Sequence, residues 1–195
     1  GLVVSTSQYV TPFASEHQWG RSDLLSWMNA NGFTHMEDKE KYCGYGNTKG
    51  FLAINQADVI SYDELIRLDI CNVVTQHRAS VRVPEDASDW FIPAYQEMML
   101  LYNNLDKINA SLKNAGGTAI NKTYSISYTR SDGKTMTSTK GQQYYYSNVG
   151  WNQITSFDMN TASEVQPSMY QDGDAFAAKS YGEKTPLPVR VILAF

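Results

Sequence analysis

The stretch DWFIPAYQEMMLLYNNLDKINASLKNAGG, residues 89–117, constrains the fold more than any other part of this chain. Met98, Leu101, Tyr102, Leu105, Ile108 and Leu112 recur at steps of three and four, which lays one apolar stripe along a helix. Pro93 suits the first turn, where its missing N–H would have no partner anyway. Gly116-Gly117 supplies the stop, because glycine takes the left-handed conformation that ends helices. The pattern predicts a single core helix. It speaks to fold, not to chemistry.

The same residues carry a resemblance. Asp89-Trp90-Phe91-Ile92-Pro93, then Glu97 and Leu101-Tyr102, resemble the DW-x-(L/I)-P-(S/T)-x-x-E-L-x-x-L-Y signature of the Lcl C-terminal domain family. These are bacterial surface or secreted domains with a C-type-lectin-like fold. Ala94 departs from the family's Ser or Thr, so the reciprocal capping box keeps only its Glu97 half. Gly1-Leu2-Val3-Val4-Ser5 is similar to the family's opening HGLVVS, and Trp19-Gly20 to its early Trp-Gly. Gly44-Tyr45-Gly46-Asn47-Thr48 looks like its G-x-G-x-x-N-T loop, two residues shorter. The QQYYYS run at 142–147 resembles its YWSS strand with Tyr145 in place of Trp, and the ending PVRVILAF resembles VRPVRAF. The likeness spans 1–195, strongest at the 89–102 anchor and the C-terminal strand, weakest over 20–43. It implies one α+β domain over 1–195, with two main helices on small twisted antiparallel sheets and the first strand paired with the last. Cys71 falls where the family often has Ala-Cys, which implies a core position.

In chain order, Leu2 to Ser5 reads as a short buried strand. Ser22-Asp23 suggests a capped helix of one or two turns ending near Asn31-Gly32. Residues 34–45 look irregular, and the helical turns after the Gly44–Thr48 loop, through Leu52, Ile54 and Gln56, look short. Ser61-Tyr62-Asp63-Glu64 suggests a capped start for a helix through about His77. After Gly117 the period changes from 3.6 to 2: Tyr124, Ile126 and Tyr128 alternate with polar residues. Asp132-Gly133 marks a hairpin turn, and 135–139 returns with Met136 its one apolar residue. Strands this polar predict an exposed hairpin at about 123–139, an insertion relative to the family. The segment 144–178 is long and polar, reads as loop-rich, and holds scattered aromatics; residues 188–195 close the chain as a buried strand.

Function classes narrow by charge and by missing motifs. A net charge of −4, with no basic run beyond two residues, argues against nucleic acid or an anionic membrane as partner. No apolar run approaches the roughly 20 residues needed to cross a bilayer. A chain opening on Gly1 and entering a strand-like run at once looks trimmed. The resemblance implies an exported, extracellular or cell-surface setting. Cys43 and Cys71 are either a disulfide or two buried thiols, and their spacing fits no metal site. His17, His35 and His77 stand apart, and neither HExxH nor Gly-x-Ser-x-Gly occurs. The Gly44–Thr48 glycines lack the Gly-Lys-Ser/Thr ending of a phosphate loop. Calcium-dependent lectins of this fold place Glu-Pro-Asn or Gln-Pro-Asp before Trp-Asn-Asp. Here Trp151-Asn152-Gln153 precedes Gln166-Pro167-Ser168 and neither carries the acid, while Asp172-Gly173-Asp174 reads as a turn. No cofactor or metal is expected.

Surface chemistry remains. The chain has 13 tyrosines against 7 phenylalanines, and tyrosine's flat face and polar tip suit half-wet binding surfaces. Tyr144, Tyr146, Asn148, Trp151, Asn152, Gln153, Tyr170, Gln171 and Asp172 are the candidate ligand-binding residues, with Tyr145 on the opposite face of its strand. The leading expectation is a non-enzymatic, exported binding or adhesion domain that recognises a glycan or a surface or matrix protein. The alternative is an assembly module of a surface appendage that pairs through the 123–139 hairpin. An enzyme similar to the formylglycine-generating enzymes, which need reactive cysteines, comes third.

Overall fold

The computed structural model describes residues 1–12, 30–32, 42–57, 69–150, 153–165 and 186–195. Within them run β1 (Leu2–Val4), β2 (Tyr9–Pro12), α1 (Gly44–Ala57), α2 (Asp69–Ser80), α3 (Tyr95–Asn103) and α4 (Leu105–Asn114). Then follow β3 (Thr123–Thr129), β4 (Thr135–Gln142), β5 (Tyr144–Gly150), β6 (Gln153–Asp158), β7 (Ser163–Val165), β8 (Pro186–Val189) and β9 (Ile192–Ala194). The fold is α+β with small antiparallel sheets: β1 pairs with β9, β2 with β8, β3 with β4, and β5, β6 and β7 form a meander.

The first strand does pair with the last, in the register Leu2↔Ala194, Val3↔Leu193 and Val4↔Ile192. β1 is less buried than expected, with Val3 40% exposed, because only alternate side chains of so short an edge face the core. The closing stretch 186–195 is two strands rather than one. It breaks at Arg190-Val191, so β8 serves β2 and β9 serves β1.

Two apolar cores lie back to back. Leu52, Val73, Val74, Trp90, Ile92, Val191 and Leu193 belong to the first. Phe91, Met98, Leu101, Leu105, Tyr145, Phe157, Met159 and Ile192 belong to the second. The alternation is the cause: 90–92 and 191–193 are extended, so successive side chains point to opposite sides. Phe91 N–H donates to the Ile192 carbonyl at 2.8 Å and Ile192 N–H donates back at 2.9 Å. One hydrogen-bonded ribbon therefore floors both cores.

The striped segment forms two helices. Met98, Leu101, Leu105 and Leu112 are buried as the stripe predicts. Asn104 (φ −115°, ψ 16°) interrupts the helix, and its side-chain amide donates to the Leu100 carbonyl at 2.9 Å. Asparagine competes for backbone partners in this way and so weakens a helix interior. Pro93 lies two residues before α3 rather than in its first turn, because Ala94 is the N-cap. The glycine stop is a Schellman pair: Gly117 N–H donates to the Leu112 carbonyl at 2.7 Å and Gly116, at φ +69°, donates to that of Lys113 at 3.2 Å.

Other elements depart from expectation. Gly44 opens the first turn of the 14-residue α1, so the glycine-rich loop is helix, and the short turns expected after it are one continuous helix. α2 runs to Ser80, and the capped start expected at Ser61 lies outside the described residues. Of the early helix only Ala30 is described, followed by the Asn31-Gly32 turn with Gly32 at φ +76°. The return strand of the hairpin continues three residues beyond 139, to Gln142. β5 takes in the expected 142–147 strand from Tyr144 on and runs to Gly150, while β6 and β7 form where loop was expected, and Phe157 and Met159 enter the second core. Among the described residues no helix is long and apolar enough to cross a membrane.

Candidate functional site

The 88–97 run is held from several sides, which fixes everything built on it. Asp89 accepts the Trp90 N–H at 2.9 Å and pairs with Arg78 Nε at 3.3 Å, while Arg78 also donates to the Trp90 carbonyl. Thr48 Oγ1 accepts the Ile92 N–H at 3.0 Å. Glu97 does reach back: its carboxyl oxygens accept Ala94 N–H at 3.0 Å and Gly44 N–H at 3.1 Å. One side chain thereby satisfies orphan donors at the starts of both α3 and α1. Burial raises the Glu97 pKa, and the backbone donors oppose that rise.

The side chains of Arg190, His77, Cys43 and Cys71 are also buried. Arg190 is 1% exposed; Nη1 donates to the Ser5 and Ser7 carbonyls, and Nη2 to Gln8 Oε1 and the Thr118 carbonyl at 2.8–2.9 Å. It staples the β1–β2 turn to the exit of α4, and burial lowers its pKa. His77, also 1% exposed, meets the Tyr9 hydroxyl at 2.7 Å through Nδ1 and lies edge-on to Trp90 at 4.6 Å. Its Nε2 is buried without a partner, and burial lowers its pKa. Cys43 and Cys71 are both buried thiols. Burial pushes Cys71 to about 12, so its nucleophilic thiolate form is suppressed. The sequence foretold the Glu97 bond back to the start of α3 but not its bond to Gly44, and it did not single out Arg190. The readable signal for Arg190 was a lone cation inside the apolar run PVRVIL.

The expected ligand face is only partly assembled within the described residues. Tyr144, Tyr146 and Asn148 occupy alternate positions of β5, opposite Asp158, Ser156 and Ile154, and Gln153 opens β6 opposite Gly150. Tyr145 and Ser147 face the interior, at 1% and 0% exposure, so the predicted alternation holds. Tyr144 is half-buried against the first core, and its hydroxyl donates to Gln142 Oε1 at 2.9 Å. Trp151, Asn152, Tyr170, Gln171 and Asp172 lie outside the described residues, as do His17, His35 and the 166–174 segment. Among the described residues no three His, Cys, Asp or Glu side chains gather into a metal site.

The hairpin is the other candidate, and it is exposed as expected. Residues 127–137 are all exposed, including Tyr128 at 52% and Met136 at 41%, which stand opposite each other. Gly133 N–H donates to the Arg130 carbonyl and Arg130 N–H to that of Lys134, both at 2.9 Å, with Gly133 at φ +80°. This is a three-residue loop whose last position needs glycine's freedom. Hydroxyls ladder across the strands, Ser127 to Thr137 at 2.8 Å and Thr129 to Thr135 at 3.4 Å. Among the described strands, β3 and β4 pair only with each other, leaving both outer edges uncovered.

No family model, curated protein or solved structure matches this chain. What the geometry offers is a firmly anchored α+β body and a polar β-hairpin whose outer edges no other described strand covers. Such an edge can take up another strand through main-chain hydrogen bonds, with side chains on either face setting selectivity.

Proposed function

We infer that this chain is a non-enzymatic interaction domain of an exported bacterial protein, working at the cell surface through its β3–β4 hairpin. The C-type-lectin-like arrangement belongs to this reading: the resemblance to Lcl C-terminal domains implies it, and the pairing of β1 with β9 supports it. The observation that carries the function is the hairpin's exposure, with outer edges that no other described strand covers. Natural proteins usually blunt such edges, so a polar, uncovered one is read as a place to add a partner strand. The glycan-binding reading on Tyr144, Tyr146, Asn148 and Gln153 ranks second. Tyr144 is half-buried and its hydroxyl is engaged by Gln142, which leaves less of it for a sugar ring.

The test is a chain in which 123–142 is replaced by a short Gly-Ser link. Gln143 N–H donates to the Lys122 carbonyl at 2.9 Å, so the ends to be joined already touch. The shortened protein is expected to keep its fold, with a melting temperature within a few degrees of the full chain's, because little apolar surface is lost. It should lose self-association and binding to matrix proteins. If it keeps every interaction of the full chain, the hairpin reading fails, and substitutions at Tyr144 and Tyr146 become the next test.

A further inference from the structure

We propose that β3 pairs antiparallel with β3 of a second copy of this chain, about a twofold axis at Ile126, joining two hairpins into one four-stranded sheet. This rests on the hairpin being the interaction element, and it names the partner and the register.

The sequence of β3 is the first observation. Thr123-Tyr124-Ser125-Ile126-Ser127-Tyr128-Thr129 reads the same in both directions. In an antiparallel pair of identical strands centred on Ile126, each residue meets its own kind: Thr opposite Thr, Tyr opposite Tyr, Ser opposite Ser. Aromatic pairs and hydroxyl pairs are among the favourable cross-strand combinations. The hairpin already uses such pairing, in the Ser127–Thr137 and Thr129–Thr135 contacts. A twofold interface must be self-complementary, and a palindromic strand is so by construction.

The edges differ, and the difference selects β3. The register shift between Tyr124 and Ser125 leaves Lys140 as an extra residue on β4. A bulge and a lysine are both devices that discourage strand addition. β3 has neither, and it carries no charge. The phase is also right. The Arg130 N–H to Lys134 carbonyl bond turns Arg130 toward β4, and alternation then turns Tyr128 and Ile126 the same way. Ser125, Ser127 and Thr129 direct their main-chain groups outward. Pairing about Ile126 sets Ser125 opposite Ser127 of the second copy, both with outward-facing groups. Just beyond the palindrome Lys122 would approach Arg130 of the second copy. Lys122 Nζ instead lies 4.6 Å from the Tyr102 ring centre, so the ladder ends at the threonines.

A single strand edge buries less than the ~800 Å² per partner of a standard interface, so the dimer is concentration-dependent and tightens when copies are held close together. Sedimentation equilibrium of the wild-type chain should show monomer and dimer in exchange. S125K/S127K puts like charges opposite each other twice and should weaken the dimer roughly tenfold or more. S125E/S127K puts Glu opposite Lys in this register only, and should restore it. I126C should form an intermolecular disulfide on mild oxidation far faster than S125C or S127C, because only the axial residue meets its own copy. The buried wild-type thiols serve as the control background. A wild-type chain that stays monomeric at all concentrations overturns self-pairing. So does a dimer that S125K/S127K leaves intact, or one in which S125C cross-links as readily as I126C. If the hairpin-replaced chain loses its partners while the wild type is monomeric, the interaction reading survives and the self-pairing falls.

Discussion

Burial leaves the His77 ring with one hydrogen bond, to the Tyr9 hydroxyl, two aromatic edges, and Nε2 without a partner. Charging the ring would place a cation between Tyr9 and Trp90, away from solvent, which is why burial lowers its pKa. A base whose folded pKa lies below its unfolded value contributes stability above about pH 6.5, and loses it as pH falls through the lowered value. H77Q keeps a group able to bond Tyr9 and removes the titration. Its urea midpoint should therefore fall less than that of wild type between about pH 8 and about pH 5. Equal falls in the two proteins would show that His77 is not the acid-sensitive group. None of this was legible in the sequence, where His77 has no motif. Its partner Tyr9 stands 68 positions away, and only the pairing of β2 with β8 and the packing of α2 bring them together. The burial of Cys71 was readable only through the resemblance, which implies a core position there.

At the scale of elements, α1 shows what periodicity and composition can miss. Gly44 and Gly46 read as a loop through their likeness to the family's G-x-G-x-x-N-T loop, yet both lie in the first turn of a helix. A Cβ at Gly44 would sit 2.6 Å from the Ile92 carbonyl oxygen and 2.8 Å from the Ala94 nitrogen, whereas at Gly46 nothing lies within 4 Å. Gly44 is therefore required by the close approach of α1 to the 92–94 backbone, and Gly46 is not required by packing. G44A should destabilise by about 1–3 kcal/mol or more, since backbone must shift. G46A should stabilise by about 0.5–1 kcal/mol through helix propensity. Urea titrations with unchanged slopes would read both, and parallel changes in the two variants would refute the assignment. The stripe of α3 and α4 and the turn of the hairpin were legible because their signals are local and regular. The interruption at Asn104 was not, since the apolar spacing runs straight through it. Nor was β6, where only Ile154 and Phe157 are apolar and the strand owes its existence to β5 and β7 on either side.

The whole molecule hangs on one ribbon. Phe91 and Ile192 face the second core while Trp90, Ile92, Val191 and Leu193 face the first, and the two strands are locked by the reciprocal bonds between Phe91 and Ile192. Ser88 extends the lock, its N–H donating to the Ala194 carbonyl at 2.7 Å and its Oγ accepting the Ala194 N–H at 2.8 Å. A side chain removed from one core loosens the backbone that floors the other, so the cores should unfold as one cooperative unit. I192A truncates a fully buried side chain of the second core and should cost about 2–5 kcal/mol. The decisive readout compares both sides of the ribbon during heating: the Trp90 indole resonance for the first core and the Met159 methyl resonance for the second. With coupling through the ribbon, both native signals vanish together at the same lowered temperature in I192A. If Met159 melts early while Trp90 keeps its wild-type midpoint, the cores are independent folding units and the ribbon only joins them. The hairpin stands apart from both cores in the described structure, so its strand pairing should open below either transition without disturbing them.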